Sequence, residues 1–206
     1  LGIAGARNRS AELARGDYLV FTDDDCEVPL DWLDWLEATL DTQPELDVVA
    51  GTALPLRPET AGLVGRVQVH YGLLPTPHDL GGLDQCYVTA CLAVRSDMFR
   101  RLGGFGGRPL FSIAGEDTDL SVRLIRAGAR TRIDPDWHSF HTLGTSVRTE
   151  LRRFRRYGYA NMYLGRDRDG PLAYRHRQLV RRRDLPRKFL EHLRTARANC
   201  KGLAGG

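Results

Sequence analysis

Three consecutive carboxylates, Asp23-Asp24-Asp25, stand directly after the apolar run Tyr18-Leu19-Val20-Phe21. Carboxylates packed this closely repel one another, and a cation relieves that cost. Hard oxygen ligands of this kind suit Mg²⁺ or Mn²⁺, which are usually held together with substrate phosphates. A second acidic station, Glu116-Asp117-Thr118-Asp119, follows the glycine-rich stretch Gly103-Gly104-Phe105-Gly106-Gly107 and opens a helical pattern. Acidic residues also favour a helix N-terminus for electrostatic reasons alone. A third station holds His138 and His141, just after Asp134-Pro135-Asp136-Trp137.

Two other acidic chemistries fit poorly. A calcium-binding EF-hand loop needs glycine at its sixth position, where this chain has Val28 followed by Pro29. Phosphatases of the haloacid dehalogenase type want Thr or Val where Glu27 stands, and a downstream lysine. The only lysines are Lys188 and Lys201, near the C-terminus.

The elements that must position these groups read as follows. Residues 3–15 form a helix ending at Gly16, and residues 18–21 a buried strand. Pro29 opens a helix with Leu30, Leu33, Leu36 and Leu40 on one face. Leu46–Ala53 reads as a strand, and 55–82 as a loop with a helical piece near 61–71. Cys86–Val94 is a further strand, followed by a helix at Ser96–Leu102 that stops at Gly103-Gly104. Glu116–Ala127 is an amphipathic helix with Leu120, Leu124 and Ile125 on one side. A short strand at Arg130–Ile133 precedes an irregular segment, Pro135 to Leu143. Thr145–Leu164 is helical and basic. Strands alternating with helices predict a layered α/β fold whose sites lie at carboxyl ends of strands.

The chain has 206 residues, enough for one globular domain plus an appendage. Its net charge of +4 hides a strong asymmetry: residues 148–206 carry 17 Lys+Arg against 5 Asp+Glu, while 1–147 carry 13 against 21. An acidic core opposes nucleic-acid binding. The basic segment, with Arg152, Arg153, Arg155 and Arg156 interleaved by Phe154 and Tyr157, suits an anionic membrane surface or a phosphate-bearing lipid acceptor. No apolar run reaches spanning length. Cys26, Cys86, Cys91 and Cys200 show neither disulfide density nor zinc spacing, which predicts reduced thiols in a cytoplasmic protein.

In order, the stations resemble glycosyltransferase family 2. Ala6-Arg7-Asn8, Ala11, Ala14, Gly16 and Tyr18 through Asp25 are similar to its "ARN…A.G.Y..F.D.D" pattern. Leu102-Gly103-Gly104-Phe105 resembles its "GGF" turn. Gly115 to Leu124 resembles its "GEDTDLS.RL" helix, and Pro135 to His141 its "P.A.V.H" segment. The resemblance spans residues 2–160. It implies a GT-A type layered fold with a mixed, mainly parallel sheet flanked by helices, covering 1–147. A basic, mainly helical extension then occupies 148–206.

The resemblance also implies an activity: inverting, metal-dependent transfer from a nucleoside diphosphate sugar to an acceptor hydroxyl, with Mn²⁺ or Mg²⁺. Asp25 is then the first metal ligand, and Asp23 touches the ribose or shares the ion. Asp24 is a spacer within the nucleotide-sugar-binding set, which also takes Arg7, Asn8 and Cys91. His141 completes the metal or diphosphate site. Asp117 is the base, with Glu116 beside it raising its pKa. Cys91 stands where the family often has Asn. The processive motif Gln-x-x-Arg-Trp is poorly matched by Glu150 to Phe154, so a single transfer is expected.

The family opens with a strand of the "VSVVIPTYN" type and a later nucleobase-reading Asp. Neither precedes the present sequence, so part of the nucleotide-binding half is expected to be missing. That loss would expose a strand edge. A nucleotidyltransferase that makes a nucleotide-sugar is one alternative; its glycine-rich first loop is not in this sequence and would sit in the part expected to be missing. A degenerate module that only binds an anionic surface is the other alternative. The protein is expected in the cytoplasm, peripheral at the inner membrane face.

Overall fold

The computed structural model describes residues 2–70, 74, 86–106 and 114–166, all within a compact unit spanning Leu1–Tyr174. The elements are α1 (Ile3–Leu13), β1 (Tyr18–Phe21), β2 (Cys26–Glu27), α2 (Trp32–Thr42), β3 (Val48–Pro55), α3 (Leu63–His70), β4 (Leu92–Arg95), α4 (Ser96–Arg101), α5 (Glu116–Arg126), β5 (Thr131–His141) and α6 (Val147–Arg166). Short 3₁₀ turns lie at Pro58–Thr60 and Thr89–Cys91. Expectations for Cys200 and for the segment beyond residue 166 fall outside the described residues.

The five strands form one mixed sheet in the order β1-β4-β3-β5-β2. Period-two alternation of side chains divides its core in two. Leu19, Phe21, Val48, Ala50, Leu92 and Val94 join α1, α4 and α5 residues on one face. Val49, Ala93 and Trp137 join Trp32 and Leu36 of α2 on the other. Helices therefore cover both faces, as the apolar runs predict.

The expectation of a mainly parallel sheet is corrected. Among the described residues only β3 and β5 run parallel; β1–β4, β3–β4 and β2–β5 are antiparallel. Continuous apolar strands report burial on both faces. Here the flanking helices supply that burial whatever the strand direction.

Three local readings also change. In α2 the buried residues are Trp32, Leu36 and Thr39, while Leu30 and Leu33 are exposed. Trp32 stacks on Trp137 at 4.9 Å, with Trp35 at 6.0 Å on the same ring. This large aromatic contact, not the leucine spacing, sets the helix face.

The expected Cys86–Val94 strand survives only from Leu92 onward. Before it, the Tyr87 N–H donates to the Ser121 hydroxyl and a 3₁₀ turn intervenes, so side chains and turn replace the ladder. The expected irregular segment after Ile133 is part of β5 instead. Its register against β3 jumps between Ala50↔Ile133 and Thr52↔His138, and Asp134 ties the bulge by accepting the Asp136 N–H. Gly51 sits opposite that jump, where any Cβ would collide with the Trp137 carbonyl and Cys91 Sγ.

Among the described residues, Cys26, Cys86 and Cys91 are free thiols, and no helix is long and apolar enough to cross a membrane.

Candidate active site

A cleft of about 430 Å³ gathers the three stations. The aspartates after β1, the N-terminus of α5, the end of β5, Arg7 of α1 and the 3₁₀ turn at Thr89–Cys91 all line it. The reversal that delivers the aspartates is a tight turn in which the Cys26 N–H donates to the Asp23 carbonyl. Cys26 then pairs with His141 across β2 and β5, and the Thr142 N–H donates to the Asp25 carbonyl at 3.0 Å. Backbone pairing thus fixes Asp25 beside His141, with Nε2 at 3.4 Å from Asp25 Oδ1.

The other ring nitrogen decides the chemistry. His141 Nδ1 lies 2.7 Å from the Thr142 carbonyl oxygen, which can only accept, so Nδ1 carries a proton. In the neutral ring Nε2 then offers a lone pair beside the carboxylate, the usual arrangement of a metal-binding histidine. Donor atoms of Asp25, Cys26 and His141 lie within 4.8 Å of one another. Burial pushes the Cys26 thiol up, above its ordinary value. An oxygen donor from Asp25 and a nitrogen donor from His141, beside the Cys26 thiol, suit a divalent ion completed by substrate phosphate.

Arg7 links the two acidic stations. Its guanidinium reaches Asp23 Oδ1 and Glu116 Oε1, each at 2.5 Å, and lies over the Phe105 ring. Burial works against its charge, but the two carboxylates outweigh it and keep Arg7 cationic. Glu116 is buried, and its Oε2 has no hydrogen-bond partner among the described residues.

Asp117 stands next to it on the first turn of α5. Its Oδ1 accepts the Thr118 N–H at 2.7 Å and lies 3.4 Å from the Thr118 hydroxyl, which leaves Oδ2 to receive a proton. Burial first, then the Glu116 charge, push the Asp117 carboxyl up to about 6. That is the range in which a carboxylate works as a general base near neutrality.

Asp24 is exposed at the same cleft, but two expected site residues are not among those lining it. The Asn8 amide donates to the Phe105 carbonyl at 2.9 Å and accepts the Phe105 N–H at 2.8 Å. It clamps the Gly103-Gly104-Phe105 turn, where Gly104 has φ 69° and a Cβ would strike Asn8 Oδ1. Asn8→Ala is expected to cost about 2 kcal/mol of unfolding free energy by stranding two backbone groups; urea denaturation measures it. Cys91 is fully buried beneath Gly51, with its thiol 3.7 Å from the Trp137 carbonyl. His138 is also absent from the lining; its Nδ1 meets the Asp136 carbonyl at 2.8 Å.

Two arginines that read as outer-surface charge in the sequence enter the cleft. Arg153 and Arg156 line it from α6, and Arg153 pairs with the buried Glu150 at 2.8 Å. The spacing of Glu150, Arg153 and Arg156 by three residues is the signal that could have found them.

Comparison with known proteins gives the family and the fold. The model of the family described as glycosyl transferase family group 2 matches residues 18–197. The chain belongs to that family. Among its relatives, the pre-mycofactocin glycosyltransferase of Mycobacterium tuberculosis strain H37Rv is 32% identical over 184 residues, 85% of this chain. The match spans only 36% of that relative's own length. A putative polypeptide N-acetylgalactosaminyltransferase 13 of Drosophila melanogaster is 29% identical over 66% of this chain and 26% of its own.

Among solved structures, the mannosyltransferase PcManGT of Pyrobaculum calidifontis, in complex with GDP-Man and Mn²⁺, superposes with TM-score 0.51. It is 20% identical, covering 78% of this chain and 44% of its own. TarS of S. aureus, in complex with UDP-GlcNAc, gives TM-score 0.52 at 13% identity, over 80% of this chain and 47% of its own. The fold of this family-2 member is therefore of the GT-A type, a mixed sheet flanked by helices.

Proposed function

We propose that this protein transfers a sugar from a nucleoside diphosphate sugar to an acceptor hydroxyl, with inversion and in a single transfer. The observation that supports this most is the joint opening of the Asp25–His141 pair and the Asp117 carboxylate into one cleft. The acceptor oxygen forms its bond to the anomeric carbon as the sugar–phosphate bond breaks. The bonding pair of the broken bond leaves with the diphosphate, and the hydroxyl proton passes to Asp117 Oδ2.

Asp25 and His141 would hold Mn²⁺ or Mg²⁺, which when bound offsets charge on the departing diphosphate. Asp23 and Asp24 line the nucleotide side. Arg7 holds Asp23 and Glu116 together, and Glu116 keeps the neighbouring Asp117 basic. The catalytic part is taken as 1–147, with 148–206 an extension in peripheral contact with an anionic membrane face. The first turns of that extension also line the cleft.

The test is a panel of guanosine and uridine diphosphate sugars with the intact protein, assayed with Mn²⁺, with Mg²⁺ and with EDTA. Release of nucleoside diphosphate that requires a divalent ion is expected. Pyrophosphate release from a nucleoside triphosphate, with no diphosphate released from any sugar donor, would overturn the reading in favour of nucleotidyl transfer.

A further inference from the structure

The opening of α6 carries more than the cleft uses. At about 100° per residue, Val147, Leu151 and Phe154 fall within about 60° of one another, and all three are exposed, at 60%, 65% and 45%. Arg155, Arg148 and Arg152 occupy the adjoining arc of about 60°, and all are exposed. The one acidic residue in this stretch, Glu150, is buried and paired with Arg153. Arg153 and Arg156 follow on the remaining side and line the cleft. The helix thus presents an apolar strip, a cationic strip and a cleft-lining edge in sequence around its circumference.

We propose that this part of α6 docks the protein on an anionic lipid surface. The apolar strip enters the boundary between headgroups and acyl chains, and Arg148, Arg152 and Arg155 meet lipid phosphates beside it. Charge complementarity selects this occupant. A nucleic acid would use the three guanidinium groups but give Val147, Leu151 and Phe154 nothing to pack on. An uncharged apolar partner would leave the guanidinium groups without counter-ions. A headgroup layer over acyl chains satisfies both strips. Arg153 and Arg156 lie outside the docking arc and line the cleft, with the Arg153 guanidinium over the Phe154 ring at the border of the two. The inference deepens the peripheral membrane contact proposed above for residues 148–206 and rests on that part of the reading, not on sugar transfer.

The test is sedimentation of the intact protein with two vesicle preparations, phosphatidylcholine alone and phosphatidylcholine mixed with phosphatidylglycerol. Binding to the mixed vesicles that weakens steeply with salt is expected. At about 1 kcal/mol per arginine, the triple variant R148A/R152A/R155A should bind about 100-fold more weakly. L151E/F154E should abolish binding, and circular dichroism with a thermal melt checks that both variants fold. D25A should bind vesicles as the parent does, which separates this result from any failure of nucleotide binding. No binding, equal binding to the neutral vesicles, or a triple variant that binds unchanged would each overturn the proposal. So would arginine-dependent binding to duplex DNA that L151E/F154E leaves intact, without binding to mixed vesicles.

Discussion

Asp117→Asn is expected to lower the transfer rate by about 10³-fold while nucleotide binding persists, because only the proton acceptor is lost. Amide and acid are nearly isosteric, and the amide oxygen of the variant can still accept the Thr118 N–H. The pH dependence carries the same signature. With Asp117 pushed up to about 6, the base is protonated below that pH, so the parent rate rises with pH and levels off above it.

Stability moves in the opposite direction. The folded carboxyl holds its proton to a higher pH than the unfolded one, so folding takes up a proton in the window between 3.8 and about 6. The stability contributed by this group is full below 3.8 and is lost as pH rises through about 6. The loss is on the order of 3 kcal/mol. Asp117→Asn cannot ionise and should show none of it. The difference between the two denaturation profiles from about pH 4 to 7 isolates the effect. An unchanged rate in the variant, or a profile flat through about pH 6, would remove Asp117 from its assigned role.

Asp25→Ala is the second large effect. Loss of an outer-shell partner alone typically costs about 10–100-fold in metal affinity, so loss of a ligand should cost at least about 100-fold. Calorimetric titration of a nucleoside diphosphate in Mn²⁺ should show that loss, and the same titration in EDTA should not distinguish variant from parent. His141→Ala should behave alike, and the double variant little worse than either single one, because both remove one shared site. The thermal midpoint should barely move for Asp25→Ala. That side chain is 49% exposed, and among the described residues its one close side-chain contact with a basic group is His141 Nε2 at 3.4 Å. Asp23 differs, since its removal would take one of two carboxylates from a guanidinium that is only 18% exposed.

Much of this is legible in the residues, for identifiable reasons. β1 matches its expected bounds because an apolar run ended by aspartates leaves little freedom. The start of α5 is legible because Gly115 takes φ 90°, a conformation that stops one element and permits the next. The approach of His141 to Asp25 is a non-local pairing that no window of sequence contains. Family resemblance places both residues, but only the β2–β5 ladder explains their distance. Asn8 reads as a ligand residue because its family position lies next to Arg7. Its two hydrogen bonds go instead to Phe105, 97 residues away. The strand directions are hidden for the reason given by the two core clusters: hydrophobicity records burial, not polarity of the chain. Arg153 and Arg156 look like surface charge because their composition matches that of Arg152 and Arg155. One step of helical phase separates the two pairs.

The two-residue ladder between Cys26–Glu27 and Phe140–His141 has a kinetic meaning. So short a pairing is among the first parts of a sheet to open while the core stays folded. When it opens, the Asp25 carbonyl loses the Thr142 N–H, and the histidine and the carboxylate separate together. An ion held by both residues would close that local equilibrium, since it binds the zipped form alone. Opening of this edge ladder is a local event distinct from global unfolding, and an ion held by Asp25 and His141 would oppose it.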